Sequence, residues 1–209
     1  MTRIYAILAG AVLLCLLAGL WLFTLGRGGD DRFAQCRSSA IAGGTDAIGG
    51  PFTLVDETGA TVTDTQVIDE PALIYFGYTF CPDVCPLDAQ RNAQAVTLLE
   101  ERGMSVKPVF ITIDPKRDTP ERLAEFTDYM HPDMVGLTGS DEQIAAASRA
   151  YRTYYKAQPP EDGDEDYYLV DHSTFTYLSL PETGFADYFR RDTTPEEMAD
   201  RVACFLQVQ

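Results

Sequence analysis

The longest apolar run of the chain lies at its amino terminus. Residues 4–25 contain no charged side chain, and about 20 apolar residues are enough for a helix to cross a bilayer. A cleaved signal peptide has a shorter apolar core, about 7–15 residues, and a small-residue cleavage site. Because no convincing site precedes Gly26, we expect an uncleaved transmembrane helix over residues 1–25.

Beyond this run, the hydrophobic pattern predicts strands. The segment "FTLVDETGATV" at 52–62 is typical of a β-hairpin, and "ALIYFGY" is a continuous apolar strand of the buried, parallel-sheet kind. Further strands are expected at 106–114, 134–137, 174–180 and 185–189.

Helices are predicted between these strands. Pro86 suits a first helical turn, and the helix through 87–102 has Leu87, Ala93, Val96 and Leu99 available to face a core. Further helix starts are expected at Thr119-Pro120, at Ser140 with Gln143, and at Thr194 with Glu197.

This alternation predicts an α/β fold, in which a mixed central sheet is flanked by helices. Residues 26–50 are rich in Gly, Ser and Ala and are expected to form a flexible tether, and residues 51–209 form the single folded domain. Function in such sheets gathers at the carboxyl ends of the strands, where Cys81 and Cys85 follow the strand "ALIYFGY".

The charge balance excludes one class of partner. Residues 26–209 carry all 32 acidic residues and 15 of the 16 basic ones, a net charge of −17. Such a surface repels nucleic acid, so we expect no nucleic-acid partner. The excess charge serves solubility, or it meets a basic partner or attracts cations.

Cys81 and Cys85 are the candidate reactive pair. Two side chains four residues apart at a helix start fall on nearly the same face, so both sulfurs can address one point. The partial positive charge of the helix N-terminus favours thiolate over thiol. Such a pair either closes as a disulfide, which would be redox-active, or holds a soft metal ion.

A third ligand would distinguish these two uses, and the chain has two histidines. His131, before Pro132 and after a helix, is interpreted as a surface or turn residue. His172 lies in "DHS", immediately before a predicted strand. If that strand joins the same sheet, the segment before it can reach the cysteine loop.

Two thiolates and one imidazole form a soft, three-point site. Sulfur ligands select Cu(I), and the added nitrogen also lets Cu(II) bind, whereas structural zinc sites normally have four protein ligands. The sequence therefore favours copper, as Cu(I) or Cu(II), held by Cys81, Cys85 and His172.

Four segments in this order resemble the Sco/SenC family: "FGYTFCPDVCP", "ITIDPKRDTP", "GLTGS" and "DEDYYLVDHSTFTYLSLPETG". The resemblance covers about residues 50–206 and implies a thioredoxin-like fold. It also implies a membrane-anchored metallochaperone that delivers copper to the dinuclear copper centre of cytochrome c oxidase. The implied partners are the copper-accepting subunit of the oxidase and another copper chaperone or a thiol reductant.

Other functions stay open at this stage. A thiol–disulfide oxidoreductase that reduces the acceptor cysteines would use the same two thiols, although that chemistry needs no histidine. A peroxide-reducing enzyme would need one isolated reactive cysteine, and a scaffold would need only a structural disulfide. Enzymatic activity in the strict sense is therefore not expected, apart from disulfide exchange.

Several residues near the motifs have two interpretations. Asp83 either tunes the thiols or docks a partner, or it only accepts hydrogen bonds from the helix N-terminus. Asp114, Arg117 and Asp118 either shape the metal site or fix their own loop and cap the next helix. The acidic segment "EDGDED" at 161–166 is expected to be a solvated loop before His172.

The remaining thiols suggest the compartment. Cys36 and Cys204 can bond to each other in an oxidising environment, and Cys15 is expected to lie within the membrane helix. No Arg- and Ser-rich transit segment precedes the apolar run. We therefore expect a single-pass protein of the bacterial inner membrane with its domain in the periplasm.

Overall fold

The computed structural model describes residues 2–26, 32–37, 44, 47–158 and 167–208. The chain divides into two compact units, Met1–Gln35 and Cys36–Gln209. The acidic segment 161–166 and most of the expected tether lie outside the described residues.

The first unit contains helix α1, Thr2–Gly26, and Cys15 within it is a free, exposed thiol. Among the helices of the described ranges, none meets the combined length and hydropathy that a bilayer-spanning segment requires. The transmembrane helix expected over residues 1–25 stays a prediction.

The second unit contains nine strands and five helices in its described residues. The strands are β1 Thr53–Asp56, β2 Thr61–Thr63, β3 Ala72–Gly77, β4 Lys107–Thr112, β5 Val135–Thr138, β6 Tyr155–Ala157, β7 Val170–His172, β8 Thr176–Leu180 and β9 Gly184–Phe189. The helices are α2 Asp64–Val67, α3 Val84–Glu100, α4 Pro120–Met130, α5 Asp141–Ala150 and α6 Pro195–Gln207.

The described strands form a seven-stranded mixed sheet in the order β2-β1-β5-β4-β3-β8-β9, and a separate pair, β6-β7. Strands β3, β4 and β5 run parallel, and the other neighbours in the sheet are antiparallel. The predicted α/β fold with a mixed central sheet is confirmed. Every residue of β3 is buried, as its continuous apolar run predicts.

The pairing of β3 with β8 positions the functional loops. These strands are antiparallel, with Tyr75 opposite Thr176, so β8 begins beside the end of β3. The segment before β8, which contains His172, therefore reaches the loop that carries Cys81. The prediction that His172 reaches the cysteine loop required the strand after it to join the main sheet, and β8 does so.

Local signals account for the helix starts. The Ser140 and Thr194 hydroxyls accept hydrogen bonds from the backbone N–H of Gln143 and Glu197, and both capping boxes form as predicted. Thr119 accepts likewise from the N–H of Arg122.

The predicted bond between Cys36 and Cys204 is confirmed. This disulfide joins the start of the second unit to helix α6 across a sequence separation of 168, with the two Cα atoms 5.6 Å apart. The backbone beside it is also held, because Arg37 Nε donates to the carbonyl oxygen of Ala186 over 2.9 Å.

One local interpretation was wrong, and another was wrong in part. Leu87 is 54 % exposed, although Ala93, Val96 and Leu99 are buried as expected, because Leu87 lies on the exposed face of α3, with Gln90 and Gln94. His131 does begin a turn, since its carbonyl oxygen accepts a hydrogen bond from the N–H of Met134 over 3.0 Å. Its side chain is not on the surface, however, but is 7 % exposed and lies near Glu100. The short pair β6-β7 was not predicted.

Candidate metal centre

The cysteine pair lies where β3 passes into α3. Cys81 is in the connecting loop, and Cys85 is in the first turn of α3. The backbone N–H of Cys85 donates a hydrogen bond to Sγ of Cys81 over 3.3 Å. Both thiols are free, and this hydrogen bond keeps the Cys81 sulfur beside the first turn of α3, which carries Cys85.

His172 completes the cluster from the other end of the chain. Its Nε2 atom lies 3.3 Å from Sγ of Cys85, across 87 positions of sequence. The ligand atoms of Cys81, Cys85 and His172 all lie within 4.8 Å of one another. The structure thus brings together the three residues that the sequence singled out.

The second ring nitrogen of His172 fixes its tautomer. Nδ1 lies 2.9 Å from the carbonyl oxygen of Ser173, and a carbonyl can only accept, so the proton is on Nδ1. In the neutral ring, Nε2 therefore keeps a free lone pair facing the thiols. Histidines that bind metals usually hold their other nitrogen in this way.

Aromatic rings enclose the imidazole. The rings of Tyr75 and Tyr78 meet it edge-on, with centroids 6.2 Å and 5.9 Å away. The Tyr75 hydroxyl donates to Oδ2 of Asp88 over 3.0 Å. Cys85 is fully buried and Cys81 is 7 % exposed, so the site opens to solvent mainly on the side of Cys81 and His172.

The two thiols have opposite electrostatic surroundings. Hydrogen bonding from the Cys85 side chain lowers the pKa of Cys81, and the backbone N–H groups of Cys85 and Asp83 lower it further, against the opposing effect of burial. Burial raises the pKa of Cys85, and the neighbouring Cys81 raises it further. Cys81 is therefore the more readily ionised of the two thiols.

Asp118 holds the loop between β3 and α3 through hydrogen bonds. This fully buried carboxylate accepts hydrogen bonds from the backbone N–H of Thr79 over 3.0 Å and from its hydroxyl over 2.6 Å. It also accepts from the Thr112 hydroxyl over 2.6 Å. Burial raises its pKa. Asp118 thus fixes its own loop to the segment that precedes Cys81, as the second interpretation expected, and its influence on the metal site stays a prediction.

Asp83 plays a narrower part than either interpretation gave it. It occupies the N-cap position of α3, but its carboxylate accepts no capping hydrogen bond. Its backbone N–H contributes to the lowered pKa of Cys81. The main chain, rather than the acidic group, acts on the thiol.

A second cluster of possible ligands lies elsewhere, formed by Glu100, His131 and Asp133. Here Nδ1 of His131 accepts a hydrogen bond from the backbone N–H of Asp133 over 3.2 Å. In the neutral ring the proton is therefore on Nε2, which faces Oε2 of Glu100 at 3.7 Å. This tautomer leaves no free lone pair for a metal, in contrast to His172.

Sequence reasoning missed the residues around the ligands. It gave no role to Tyr75, Tyr78 or Asp88, although the aromatic residues within "ALIYFGY" were a visible signal. Because consecutive strand residues point to opposite faces, only the sheet shows which of them turn toward the thiols.

Comparison with known proteins places this geometry in context. The SCO1/SenC family model matches residues 41–207. The protein SenC of Rhodobacter capsulatus is 59 % identical over 176 residues, which cover 84 % of this chain and 78 % of that protein.

Two solved structures share the fold. Arabidopsis thaliana ScoI with copper bound is 40 % identical, with a TM-score of 0.72, and the match covers 77 % of this chain and 99 % of that chain. Yeast Sco1 with copper bound is 36 % identical, with a TM-score of 0.71, covering 77 % and 89 %. The thioredoxin-like α/β fold is thereby confirmed, and copper is the metal bound in these relatives. This chain belongs to the SCO1/SenC family.

Proposed function

We propose that this protein is a metallochaperone that binds one copper ion through Cys81, Cys85 and His172 and delivers it to the dinuclear copper centre of cytochrome c oxidase. One observation carries the proposal: the free lone pair of His172 Nε2 lies 3.3 Å from Sγ of Cys85. Two relatives of similar fold hold copper, and the family resemblance implies the oxidase as the destination.

The donor set suits copper as cargo. Two sulfurs and one imidazole nitrogen are soft ligands that favour Cu(I), and the nitrogen also admits Cu(II). The lowered pKa of Cys81 favours its thiolate, the form that binds a metal, in the reduced protein. The partly open side of the site lets an acceptor sulfur replace one ligand at a time, with the copper-accepting subunit of the oxidase as the receiving partner.

The experiment compares the two histidines of the chain. Reduced protein is titrated with Cu(I) against a chromophoric chelator, and His172→Ala is expected to weaken binding by more than about 10-fold, the smallest loss typical of outer-shell substitutions. His131→Gln is the matched control and should keep the affinity of the parent. If His172→Ala retains full affinity, the copper proposal is wrong.

The difference in pKa between Cys81 and Cys85 favours a second function, reduction of a disulfide in the acceptor protein. The Cys81 thiolate would attack one sulfur of that disulfide and form a mixed disulfide, releasing the other sulfur as a thiolate. Cys85 would then lose its proton and attack Cys81 Sγ. The products are a Cys81–Cys85 disulfide and two acceptor thiols. His172→Ala should spare this reaction, and Cys85→Ser should stop it at the mixed disulfide.

The proposed location is a bacterial inner membrane, with the domain in the periplasm. The uncharged run of residues 4–25 supports it, as does the exposure of apolar side chains on α1, such as Ile7 at 72 % and Leu14 at 68 %. The full chain should stay with membranes after alkaline carbonate extraction, and protease added to spheroplasts should cut the domain. Extraction into the soluble fraction would contradict the anchor.

A further inference from the structure

The strand that carries His172 does not belong to the main sheet. Within the described residues, β7 pairs only with β6, in a separate two-stranded unit. An isolated pair of strands is marginally stable in water. Other contacts must therefore hold the imidazole against the thiols.

A buried ion pair lies beside this strand. Asp114 is 4 % exposed, and its carboxylate binds the guanidinium of Arg117. The same carboxylate accepts a hydrogen bond from the Tyr168 hydroxyl, with Oδ1 and the hydroxyl oxygen 2.6 Å apart. Tyr168 lies four positions before His172, so the ion pair holds the chain that leads into the histidine.

Arg117 also contacts the cysteine loop. Its Cζ atom lies 3.7 Å from the ring centroid of Tyr168 and 4.5 Å from that of Phe80, and Phe80 directly precedes Cys81. The cation is therefore packed between the segment before His172 and the segment before Cys81. Cation–π contacts of this kind are strongest when they are shielded from water.

A backbone contact closes the connection. The N–H of Val170 donates to the hydroxyl oxygen of Tyr78 over 3.2 Å, and the ring of Tyr78 meets the His172 imidazole edge-on. The cysteine loop and the histidine strand are thus joined at two points, through Arg117 and through Tyr78.

We propose that Tyr168 and Arg117 are positioning residues that hold His172 in its ligating place before copper arrives. This inference rests on the proposed function, because the position of His172 matters only if His172 binds copper. When the hold is released, only a fraction of molecules has the histidine in place, and the apparent copper affinity falls by that fraction.

Tyr168→Phe tests the proposal with a small change, because the ring stays on Arg117 while the hydrogen bond to Asp114 is lost. In the copper-free, reduced protein, amide exchange at Val170 should become faster, by about 10-fold, and Cu(I) affinity should fall by a similar factor. Tyr151→Phe is the matched control, because it also removes a buried hydroxyl contact, 3.3 Å to Ser179 Oγ. It should leave both measurements unchanged.

A double substitution separates positioning from general stability. In a His172→Ala background, Tyr168→Phe should cause no further loss of copper affinity, because the ligand that it positions is already absent. A further loss in that background, equal to the loss in the parent, would overturn the proposal. Unchanged amide exchange at Val170 in Tyr168→Phe would also overturn it, whatever happens to copper.

Arg117→Lys provides an independent variant that keeps the charge beside Asp114 and removes the planar, stacking guanidinium. It should accelerate exchange at Val170 and weaken copper binding, as Tyr168→Phe does. Arg201→Lys is its control, because Arg201 also pairs with a buried aspartate, Asp187, and covers the ring of Phe189. If both lysine variants weaken copper binding equally, the effect is not positional and the proposal fails.

Full copper affinity in His172→Ala would instead refute the proposed function. Amide exchange at Val170 would still decide whether Arg117 holds the strand.

Discussion

The backbone N–H of Cys85 donates a hydrogen bond to Sγ of Cys81 over 3.3 Å, so the two sulfurs of one site have different surroundings. Cys81 receives hydrogen bonds at the start of α3, whereas Cys85 is fully buried. This inequality fits the proposed copper site, in which Cys81 would bind as a thiolate, and it also suits a nucleophile and its resolving partner.

We expect ultraviolet absorption to show one thiolate in the reduced pair at pH 6. Subtracting the spectrum of Cys81→Ser from that of the parent gives the absorption of the Cys81 thiolate. Cys85→Ala should move the midpoint of the Cys81 titration upward by about one to two pH units, because it removes the hydrogen bond that lowers this pKa most. An unchanged midpoint in Cys85→Ala would show that the cause lies elsewhere.

The same thiolate should make stability depend on pH. The pKa of Cys81 is lower in the folded protein, so the unfolded chain binds more protons between the two pKa values. The stabilisation is complete above the unfolded-state pKa, about 8.5, and is lost as the pH falls toward the folded-state value. Urea unfolding of the reduced protein from pH 5 to pH 8 should show stability rising relative to Cys81→Ser. A constant difference between them would contradict this.

Asp118→Asn should destabilise the domain by about 2–4 kcal/mol, because an amide NH₂ would face hydrogen-bond donors in a fully buried place. Asp69→Asn is the control, since Asp69 is in an exposed pair with Lys107 and should change stability by less than about 0.5 kcal/mol. Urea unfolding of both variants measures the difference. Equal losses in the two would refute the supporting role of Asp118.

Replacing both Cys36 and Cys204 by serine should reduce the free energy of unfolding by about 2–5 kcal/mol, because the bond closes a long loop of chain. Copper affinity should not change, since neither residue belongs to the metal centre. Electrophoresis of alkylated protein with and without reductant checks the bond itself. Identical mobility of the parent under both conditions would show that the bond is absent.

Gly77→Ala should destabilise the domain by about 1–3 kcal/mol. An added Cβ would lie 2.7 Å from Cε1 of Tyr75 and 3.0 Å from the ring of Phe110, so one ring must move. Because Tyr75 contacts the His172 ring, the near-ultraviolet circular dichroism of the tyrosines should change as well. A variant with the stability and spectrum of the parent would show that the space is larger than the distances indicate.

The sequence by itself determined most strands of the sheet, most helix starts and the three residues of the candidate site. A continuous apolar run such as β3 can only be buried, and a hydroxyl at a helix start satisfies N–H groups that have no partner within the helix. These features depend on neighbours in sequence, so local reasoning found them. The residues of the candidate site were found because thiols at that spacing and a histidine between polar neighbours are chemically distinctive.

Only the tertiary structure decided how the site is held. The pairing of β7 with β6, the tautomer of His172 and the contacts of Arg117 with Tyr168 and Phe80 join residues that are distant in sequence. Hydrogen bonding likewise distinguishes the two histidines, because Nδ1 of His131 accepts from a backbone N–H, whereas Nδ1 of His172 donates to a backbone carbonyl. No periodicity records such contacts, since they depend on which surfaces meet when the chain packs.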